Sequence, residues 1–365
     1  MATTTPQFGW TVPTSSDLVK NGATAISTLG QDIDTFLFRP FGVNPVINSA
    51  FEIWQRGTSF TSTGYTADRW YGSTPTNITI SRQLTNDTTN LPNIQYCVRL
   101  ARSAGSTAAV YPQVTNSFES VNTRAYVGKT ITFSFYARRG ANFSGASNQI
   151  FAYVQTGTGT DQNVYNGYTG EVNAVGSTAV TLTTTWQRFT YTGTIATNVT
   201  EMGVKIYALT SGTAGADDWF EVTGVQIEAG SQATPFQTYA GTIQGELAAC
   251  QRYYYRLTPG VTGATLSFGN NYNTIQNRTA VMFPVEMRVA PTALEQNGSA
   301  NNYMIAQAGI GSTVCNNVPA FSSGTTRFAT ISSIVASGLT AYVTSTLSTD
   351  STNGATAYLG WSAEL

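Results

Sequence analysis

Between residues 76 and 230 the chain alternates apolar and polar side chains with a period of two. Eight segments carry this alternation: 76–84, 94–101, 107–114, 129–140, 148–156, 178–195, 201–210 and 217–230. Clusters of Gly, Asn and Ser separate them at fairly even spacing, and no helical period interrupts the series. Many half-buried strands in succession without helices predict a two-sheet antiparallel sandwich of the jelly-roll type.

The composition fits an uncharged, hydroxyl-rich β protein and excludes several function classes. Charged residues make up 10% of the chain, against about 25% in an average soluble domain. A net charge of -1 gives no long-range field for attracting nucleic acid, so we expect no nucleic-acid partner. The chain has no histidine, and its three cysteines, at 97, 250 and 315, form no CxxC motif. A Cys/His zinc site is therefore excluded, and Cys97 is expected to be a buried thiol.

Neither a membrane span nor a secretory signal is evident. No apolar run approaches the ~18 residues of a membrane-spanning helix, so we expect no membrane insertion. The first ten residues, MATTTPQFGW, lack the charged and apolar regions of a signal peptide. The sequence therefore predicts synthesis in a cytoplasm without Sec export, so any function outside requires departure as part of a larger particle.

A helical pattern precedes the strands, in SSDLVKNGATAISTLGQDIDTFLFRP at 15–40. Ser15, Ser16 or Asp17 can cap its start, and Pro40 lies just beyond its end. Apolar positions form an a/d seam over about three heptads: Val19, Ile26, Leu29, Ile33 and Phe36, with Gly22 at one further seam position. Because so short a helix is unstable alone, we interpret it as an oligomerising or docking helix. The alternative is an amphipathic helix that lies on its own domain.

The stretch 216–257 organises the rest of the chain. Its first part, DDWFEVTGVQIEAG, is the last strand of the sandwich, and GTIQGELAACQRYYYRL then changes to a helical period. Beyond it the alternation returns, in a smaller C-terminal β-sandwich whose last residue we expect to lie in a strand. The predicted organisation is an N-terminal attachment segment at 1–43, a jelly-roll sandwich at 44–235, a helical connector at 236–257 and a C-terminal β domain at 258–365.

Four pieces of the sequence resemble virion proteins of tailed bacteriophages. GWTVPTSSDLVKNGATAISTLGQDID is similar to the N-terminal segment of phage fibres, and NPVINSAFEIWQRGTSF with YTADRW resembles the opening of a virion β-sandwich. WFEVTGVQIEAGSQATPF with ELAACQRYYYR resembles the end of that sandwich, and MFPVEMRVAPT with YLGWSAEL resembles the module that follows it. The central motifs are also shared with carbohydrate-binding modules. Together the pieces cover roughly a third of the residues, in the family's order.

The resemblance implies a structural virion protein, a homotrimeric tail fibre or receptor-binding protein made in the host cytoplasm. Its N-terminus would attach to tail, baseplate or capsid proteins, and its C-terminal part would bind a glycan or other receptor on the host surface. Three weak sites on one stem would gain affinity through effective concentration. The alternatives are a purely structural capsid fibre or baseplate adaptor and, third, a glycan-degrading tailspike.

Catalysis is not expected. Without histidine, Ser/His and Cys/His nucleophilic pairs cannot form, and only a carboxylate pair as in glycan-cleaving enzymes remains. The candidate carboxylates are Asp217, Asp218, Glu221, Glu228 and Glu246. Asp217 and Asp218 face opposite ways on a strand before Trp219, so we interpret them as edge or turn residues.

No cofactor or metal is expected either. By resemblance to sugar-binding sandwiches, Asn48 or Glu52 with Asp217 or Asp218 would hold Ca²⁺. We favour the alternative, in which Glu52 pairs with a neighbouring arginine, Arg56 or Arg69.

Two Asn-Asn-Tyr triplets, at 270–272 and 301–303, are the candidates for glycan binding. Sugar recognition requires a flat aromatic ring beside amides that match hydroxyl groups, and Asn pairs are typical of exposed turns. The hypothesis is that Tyr272 and Tyr303 stack on sugars while Asn271 and Asn302 donate hydrogen bonds. The alternative is that both triplets are ordinary hairpin turns.

Overall fold

The computed structural model describes residues 3–4, 11–12, 14, 19–37, 44–176 and 178–365. The chain divides into two compact units, one of residues 1–246 with Leu365 and the other of residues 247–364. This division falls inside the predicted connector at 236–257. None of the helices among the described residues is long and apolar enough to cross a bilayer.

The first unit is a β-sandwich preceded by a helix. Its helices are α1 (Val19–Leu37) and α2 (Ser120–Thr123), and α3 (Ile243–Gln251) runs across the division between the units. Its strands are β1 (Thr3–Thr4), β2 (Thr11–Val12), β3 (Ser59–Phe60), β4 (Gly64–Tyr65), β5 (Tyr71–Ser73), β6 (Ile78–Leu84), β7 (Tyr96–Arg102), β8 (Gln113–Ser117), β9 (Thr130–Arg139), β10 (Gln149–Gly157), β11 (Val172–Val175), β12 (Val180–Thr181), β13 (Gln187–Thr194), β14 (Glu201–Tyr207) and β15 (Trp219–Ala229). Strands β1 and β2 pair with each other.

Two antiparallel sheets form this sandwich. The front sheet has seven strands in the order β11-β10-β14-β8-β5-β4, with β12 beside β10. The back sheet has six, in the order β13-β9-β15-β7-β6-β3. From β3 to β15 the chain passes repeatedly from one sheet to the other, as jelly-roll topologies do. The predicted mainly-β class with a jelly-roll-like sandwich is confirmed.

The core of the sandwich lies between the two sheets, where one residue in two of each strand points inward. Val154 of β10 and Val204 of β14 meet Phe133 of β9, Phe220 of β15 and Leu100 of β7 in one buried cluster. Burial of these side chains contributes about 1.5–3 kcal/mol each. The period-two alternation of the sequence is therefore the imprint of this single core.

Strand β15 holds the back sheet together by pairing with both β7 and β9. Its register against β9 shifts between Thr223 and Gln226, and Gly224 at this bulge has a φ of 57°. A Cβ atom on Gly224 would lie 2.8 Å from the side chains of Ile94 and Tyr136. Glycine is thus required both for the left-handed backbone and for the close approach of its neighbours.

The second unit is a smaller sandwich. Its strands are β16 (Tyr254–Leu257), β17 (Thr265–Asn271), β18 (Gln276–Met282), β19 (Tyr303–Gln307), β20 (Gly311–Val314), β21 (Ala320–Gly324), β22 (Phe328–Ile334), β23 (Thr344–Thr349) and β24 (Leu359–Ser362). Seven of them form a sheet in the order β20-β19-β23-β17-β18-β22-β21, and β16 pairs with β24. Trp361 of β24 packs in one cluster with Ile305, Ile331 and Leu347 of the large sheet.

Some predicted segments differ from the observed elements. The predicted strand at 107–114 begins only at Gln113, and the earlier residues contribute an isolated bridge between Val110 and Thr210. In the connector, α3 is followed by β16, so the helical period does change to a strand at the tyrosine run. The predicted strand around 178–195 is divided into β12 and β13 by the turn that carries Trp186.

Candidate functional site

The second Asn-Asn-Tyr triplet lies inside the second unit. Tyr303 begins β19 and is fully buried, and its hydroxyl donates a hydrogen bond to the Tyr358 carbonyl at 2.7 Å. Asn302 is also buried, and its amide donates to the Thr356 hydroxyl at 2.9 Å. This corrects the prediction that Tyr303 and Asn302 meet a sugar, because neither has a surface on which a ligand could rest.

The first triplet is divided between the interior and the surface. The buried Asn271 side chain donates to the Gln307 side chain and to the Thr340 carbonyl, both at 2.9 Å. Tyr272 is 50% exposed, and the Arg278 guanidinium lies 4.0 Å from its ring centre. Of the four predicted receptor-binding residues, Tyr272 alone has an exposed ring.

The N-terminal helix is present as α1 and bears the predicted seam. Ile26 is 65% and Ile33 is 37% exposed, whereas Leu29 is half-buried. The side chains of Val19 and Phe36 lie outside the described residues. The two exposed isoleucines are seven residues apart, two turns along one face of the helix.

Four of the five carboxylate candidates for catalysis make structural contacts, beginning with Asp218. Its Oδ2 accepts hydrogen bonds from the Arg102 guanidinium at 3.0 Å and from the Ser144 hydroxyl at 2.7 Å, and both charged side chains are buried. Arg102 also donates to the carbonyls of Ser106, Ala108 and Gly212. Asp217 beside it is exposed. This pair fastens loops together at one end of the sandwich.

Glu221 lies on the outer face of the back sheet between two arginines. Its Oε1 is 2.7 Å from Arg99 Nη2, and its Oε2 accepts from Arg138 Nε at 2.6 Å. The Arg99 guanidinium stacks 4.1 Å from the Trp219 ring centre, and Arg138 stacks 4.8 Å from that of Trp186. Because Glu221 is fully buried with both oxygens occupied, it is poorly placed to exchange a proton with a substrate.

The last two candidates, Glu228 and Glu246, hold backbone N–H groups. Glu228 Oε2 accepts from the Thr234 N–H, and its other oxygen accepts from the Thr234 hydroxyl. Glu246 accepts from the N–H groups of Asn48 and Ala240, at 2.9 and 2.8 Å. Both carboxylates are buried, and the hydrogen bonds that they accept stabilise the adjoining turns.

The proposed calcium ligands do not assemble either. The Asn48 side chain donates to the Ile53 and Asp68 carbonyls and accepts from the Ile53 N–H. Glu52 makes no ion pair within the described residues, so the predicted pairing with a neighbouring arginine is not formed. Burial, and after it the charge of Glu246, raises the pKa of Glu52. No group of three or more acidic or cysteine side chains suited to a metal occurs in the described part of the chain.

The outer face of the front sheet presents a different kind of surface. On β10, Ile150, Ala152 and Val154 enter the core, so Phe151 and Tyr153 point outward. On β14 the outward positions include Lys205 and Tyr207, which pair in register with Tyr153 and Phe151. A row of outward side chains therefore crosses four strands, in the order Tyr153, Lys205, Thr115 and Tyr71.

The aromatic rings on this face pack into a half-exposed platform. The Phe151 and Tyr207 rings are 5.0 Å apart and 13° from parallel, and Tyr153 meets Tyr207 edge-on at 5.7 Å. Across the sheet, Tyr165 from the loop after β10 packs 4.5 Å from Tyr71. All except Tyr153 keep part of their surface in solvent. We call Phe151, Tyr153, Lys205 and Tyr207 the front-face platform.

Two tyrosine hydroxyls of this face, those of Tyr71 and Tyr153, stay protonated near pH 7. Burial raises the pKa of Tyr153, and its hydrogen bond to Tyr207 acts in the same direction. Burial and the neighbouring Tyr165 raise the pKa of Tyr71. Each hydroxyl can thus donate and accept, which matches the hydroxyl groups of a sugar.

An open cavity beside the loop between β6 and β7 is less suited to bind a sugar than the front-face platform. This cavity of about 470 Å³ is lined by Glu52 and by residues 84–88 and 91–95. Its walls carry carboxylates, amides and leucines but no aromatic ring on which a sugar could stack. The front-face platform is therefore the stronger candidate for a ligand surface.

Sequence reasoning missed this platform, although a signal for it was present. In NQIFAYVQT both parities of the strand are apolar or aromatic, which is unusual for a strand with one solvated face. Phe151 and Tyr153 occupy the parity opposite to Ile150 and Val154. Large rings at the parity opposite to the core are the sequence signal for this face.

No protein-family model matches the sequence, and no curated protein matches it significantly. Among solved structures, the carbohydrate-binding module TmCBM61 in complex with β-1,4-galactotriose is similar, at a TM-score of 0.31 and 14% identity over 51% of this chain and 99% of that one. The C-terminal family 22 carbohydrate-binding module of Clostridium thermocellum Xyn10B has a TM-score of 0.30 and 14% identity over 47% and 98%. The enzymatically active domain of bacteriophage CBA120 tailspike protein 4 has a TM-score of 0.33 and 9% identity over 51% and 21%. At TM-scores this low the likeness supports no conclusion about ligand or activity.

Proposed function

We propose that this chain is a non-enzymatic glycan-binding protein whose binding surface is the front-face platform. The observation that carries the proposal is the half-exposed stack of Phe151 and Tyr207, with Tyr153 and Lys205 beside it on the same face. Aromatic rings accept the apolar faces of sugars, while nearby hydroxyl and ammonium groups match their polar edges. A flat sheet face suits an extended polysaccharide better than a small molecule.

We further propose that the protein belongs to a phage virion, as a trimeric tail fibre attached by its N-terminus. The ordered sequence motifs support the virion, and the exposed Ile26 and Ile33 of α1 supply an apolar stripe for a helical trimer. Three platforms on one particle would gain affinity from effective concentration. A monomeric mass in solution at micromolar concentration would contradict the trimer.

Two other functions remain as alternatives. A purely structural capsid fibre or baseplate adaptor would need no ligand surface, so it leaves the outward rings of β10 and β14 without a role. A glycan-degrading tailspike would need a carboxylate pair in a groove. The contacts of Asp218, Glu221, Glu228 and Glu246 with arginines, hydroxyls and N–H groups favour scaffold roles for those four.

The test compares Tyr207→Ala with Tyr342→Ala, which removes a ring that is 81% exposed in the second unit. Full-length proteins are assayed on an array of bacterial surface polysaccharides and by adsorption to host cells. Tyr207→Ala should weaken binding about 30-fold, since an aromatic hot spot contributes about 2 kcal/mol. Tyr342→Ala should bind as the wild type does.

The same assay tests the first Asn-Asn-Tyr triplet through Tyr272→Ala. If Tyr207→Ala keeps its melting temperature and also binds normally, the front-face platform is not the binding surface. Loss of binding in Tyr272→Ala alone would return the site to the second unit.

A further inference from the structure

Lys205 is the charged member of the front-face platform. It lies midway along β14, in register with Tyr153 on one side and Thr115 on the other. Its side chain is half-buried. Within the described residues it forms no hydrogen bond and no ion pair. This cation therefore lies on the same face as the platform rings, with no described carboxylate paired to it.

Three arginines of the same unit that are partly or fully buried have carboxylate partners within the chain. Arg102 is paired with Asp218, and Arg99 and Arg138 share Glu221. An anion that binds beside an ammonium group without a carboxylate partner gains a charge-assisted hydrogen bond. Lys205 therefore differs from these arginines because no carboxylate among the described residues is paired with it.

We infer that Lys205 selects an acidic glycan, by pairing its ammonium group with an anionic substituent of a sugar stacked on Tyr207 and Phe151. This inference rests on the proposed glycan-binding function of the platform. The substituent is a carboxylate, as in a uronic acid, or a phosphate, since an ammonium group binds either as a point charge. Thr115 and Tyr153 flank the lysine in register and are both buried, so the sugar would rest on the half-buried rings of Tyr207 and Phe151.

One carboxylate acts against this selection. The charge of Glu171 contributes to the raised pKa of Tyr153, so it reaches the platform, although no ion pair joins it to Lys205. Glu171 would repel an anionic ligand weakly because it is exposed. Its removal should strengthen the binding of acidic glycans and leave that of neutral ones unchanged.

The experiment uses the full chain with matched ligands. An array of bacterial surface polysaccharides is compared with the same array after carbodiimide reduction of its carboxylates. Phosphomannan beside mannan distinguishes phosphate from carboxylate recognition. The variants are Lys205→Met, which keeps the apolar stem, Lys205→Arg, which keeps the charge, and Glu171→Gln. The control Lys129→Met removes the same charge from an exposed position outside the platform.

We expect the wild type to bind acidic members, and Lys205→Met to bind them about 10-fold to 100-fold more weakly, as for a lost charge-assisted hydrogen bond. Lys205→Arg should retain the preference, Lys129→Met should match the wild type, and added salt should weaken the wild type more than Lys205→Met. Equal binding before and after charge removal would overturn the acidic selection while leaving glycan binding intact. Binding to no polysaccharide, charged or neutral, would overturn both.

Discussion

The two outer faces of the first sandwich both carry cations and aromatic rings, but two arginines of the back face have a carboxylate partner and Lys205 of the front face has none among the described residues. On the back sheet, Arg99 and Arg138 both form ion pairs with Glu221, and each arginine stacks on a tryptophan ring. On the front sheet, Lys205 lies on the same face as the half-buried rings of Phe151 and Tyr207 and pairs with none of the described carboxylates. The back face is also covered, because Leu91 and Ile94 of the loop between β6 and β7 pack with Cys97 and Trp186.

This difference separates scaffold from site on physical grounds. A charged group whose hydrogen bonds are all made within the chain gains nothing from a ligand, and its removal costs stability. A half-buried group without a partner contributes little to folding, and a ligand can still satisfy it. Substitutions on the back face should therefore change stability, and those on the front face should change binding.

Thiol reactivity gives the largest expected contrast between the faces. Cys97 sits on the outer side of β7, where it is buried in a cluster with Leu91 and Ile94 of the loop between β6 and β7 and with Trp186. Burial, and after it the charge of Glu221, raises the pKa of its thiol. A Lys205→Cys variant places a thiol on the front face. We expect it to react with a thiol reagent on the order of 10³-fold faster than Cys97, which must await local opening.

The measurement is mass spectrometry of the alkylated protein over time. Cys250 and Cys315 are also buried and should stay unlabelled with Cys97 until denaturant is added. Rapid labelling of Cys97 in the native protein would show that the back face is open, and it would then become a competing ligand surface.

The next contrast is in stability. Glu221→Ala leaves two arginines facing each other without their shared anion. The loss from breaking a buried pair is about 3–5 kcal/mol, and because Arg99 and Arg138 keep part of their surface in water we expect about 2–4 kcal/mol. Denaturant unfolding followed by tryptophan fluorescence measures it, since Trp186 and Trp219 adjoin the site.

The control is Glu286→Ala, which breaks the exposed pair with Arg327 in the second unit. It should leave the unfolding transition in place, because water screens that pair. Folded Glu221→Ala protein should still bind the polysaccharides that the wild type binds. A variant that keeps its stability but loses binding would reverse the roles assigned to the two faces.

Sequence patterns predicted the sandwich because burial on one side leaves a period of two in strands such as β6, β9 and β15. They did not indicate the front-face platform because the period does not tell which parity faces the core. Asn271 has the residue type of a turn, yet its amide is satisfied inside a buried network. On β10, both parities are apolar, and only the pairing with β14 shows that Phe151 and Tyr153 point outward.

The alternation of apolar and polar residues also could not predict contacts between segments that are distant in the sequence. Glu221 and Arg138 are 83 positions apart, and their pairing follows from the strand order β9-β15-β7. A jelly roll brings strands together in an order that local periodicity does not encode. The lack of histidine, by contrast, is a property of composition alone, and it excludes Ser/His and Cys/His nucleophilic pairs whatever the strand order.

The smallest contrast concerns Glu52, a carboxylate beside the loop between β6 and β7 that has no ion pair among the described residues. Glu52 lines the open cavity beside residues 84–95, and burial, then the charge of Glu246, raises its pKa. A carboxyl with a raised folded-state pKa binds its proton more tightly in the folded than in the unfolded state. Its contribution to stability is therefore most favourable below the unfolded pKa of about 4.3 and falls as pH rises through the folded pKa.

Glu52→Gln should consequently stabilise the protein at pH 7 by a few tenths of a kcal/mol, because Glu52 is only partly buried and water screens its repulsion by Glu246. The gain should shrink as the pH falls to about 4, and urea unfolding at both pH values measures it. Asp217→Asn, which neutralises an exposed carboxylate, is the control without such a pH-dependent gain. If Glu52→Gln instead lowers stability at pH 7, the Glu52 carboxylate has a partner that stabilises its charge. Glu52 would then be a paired group like Glu221.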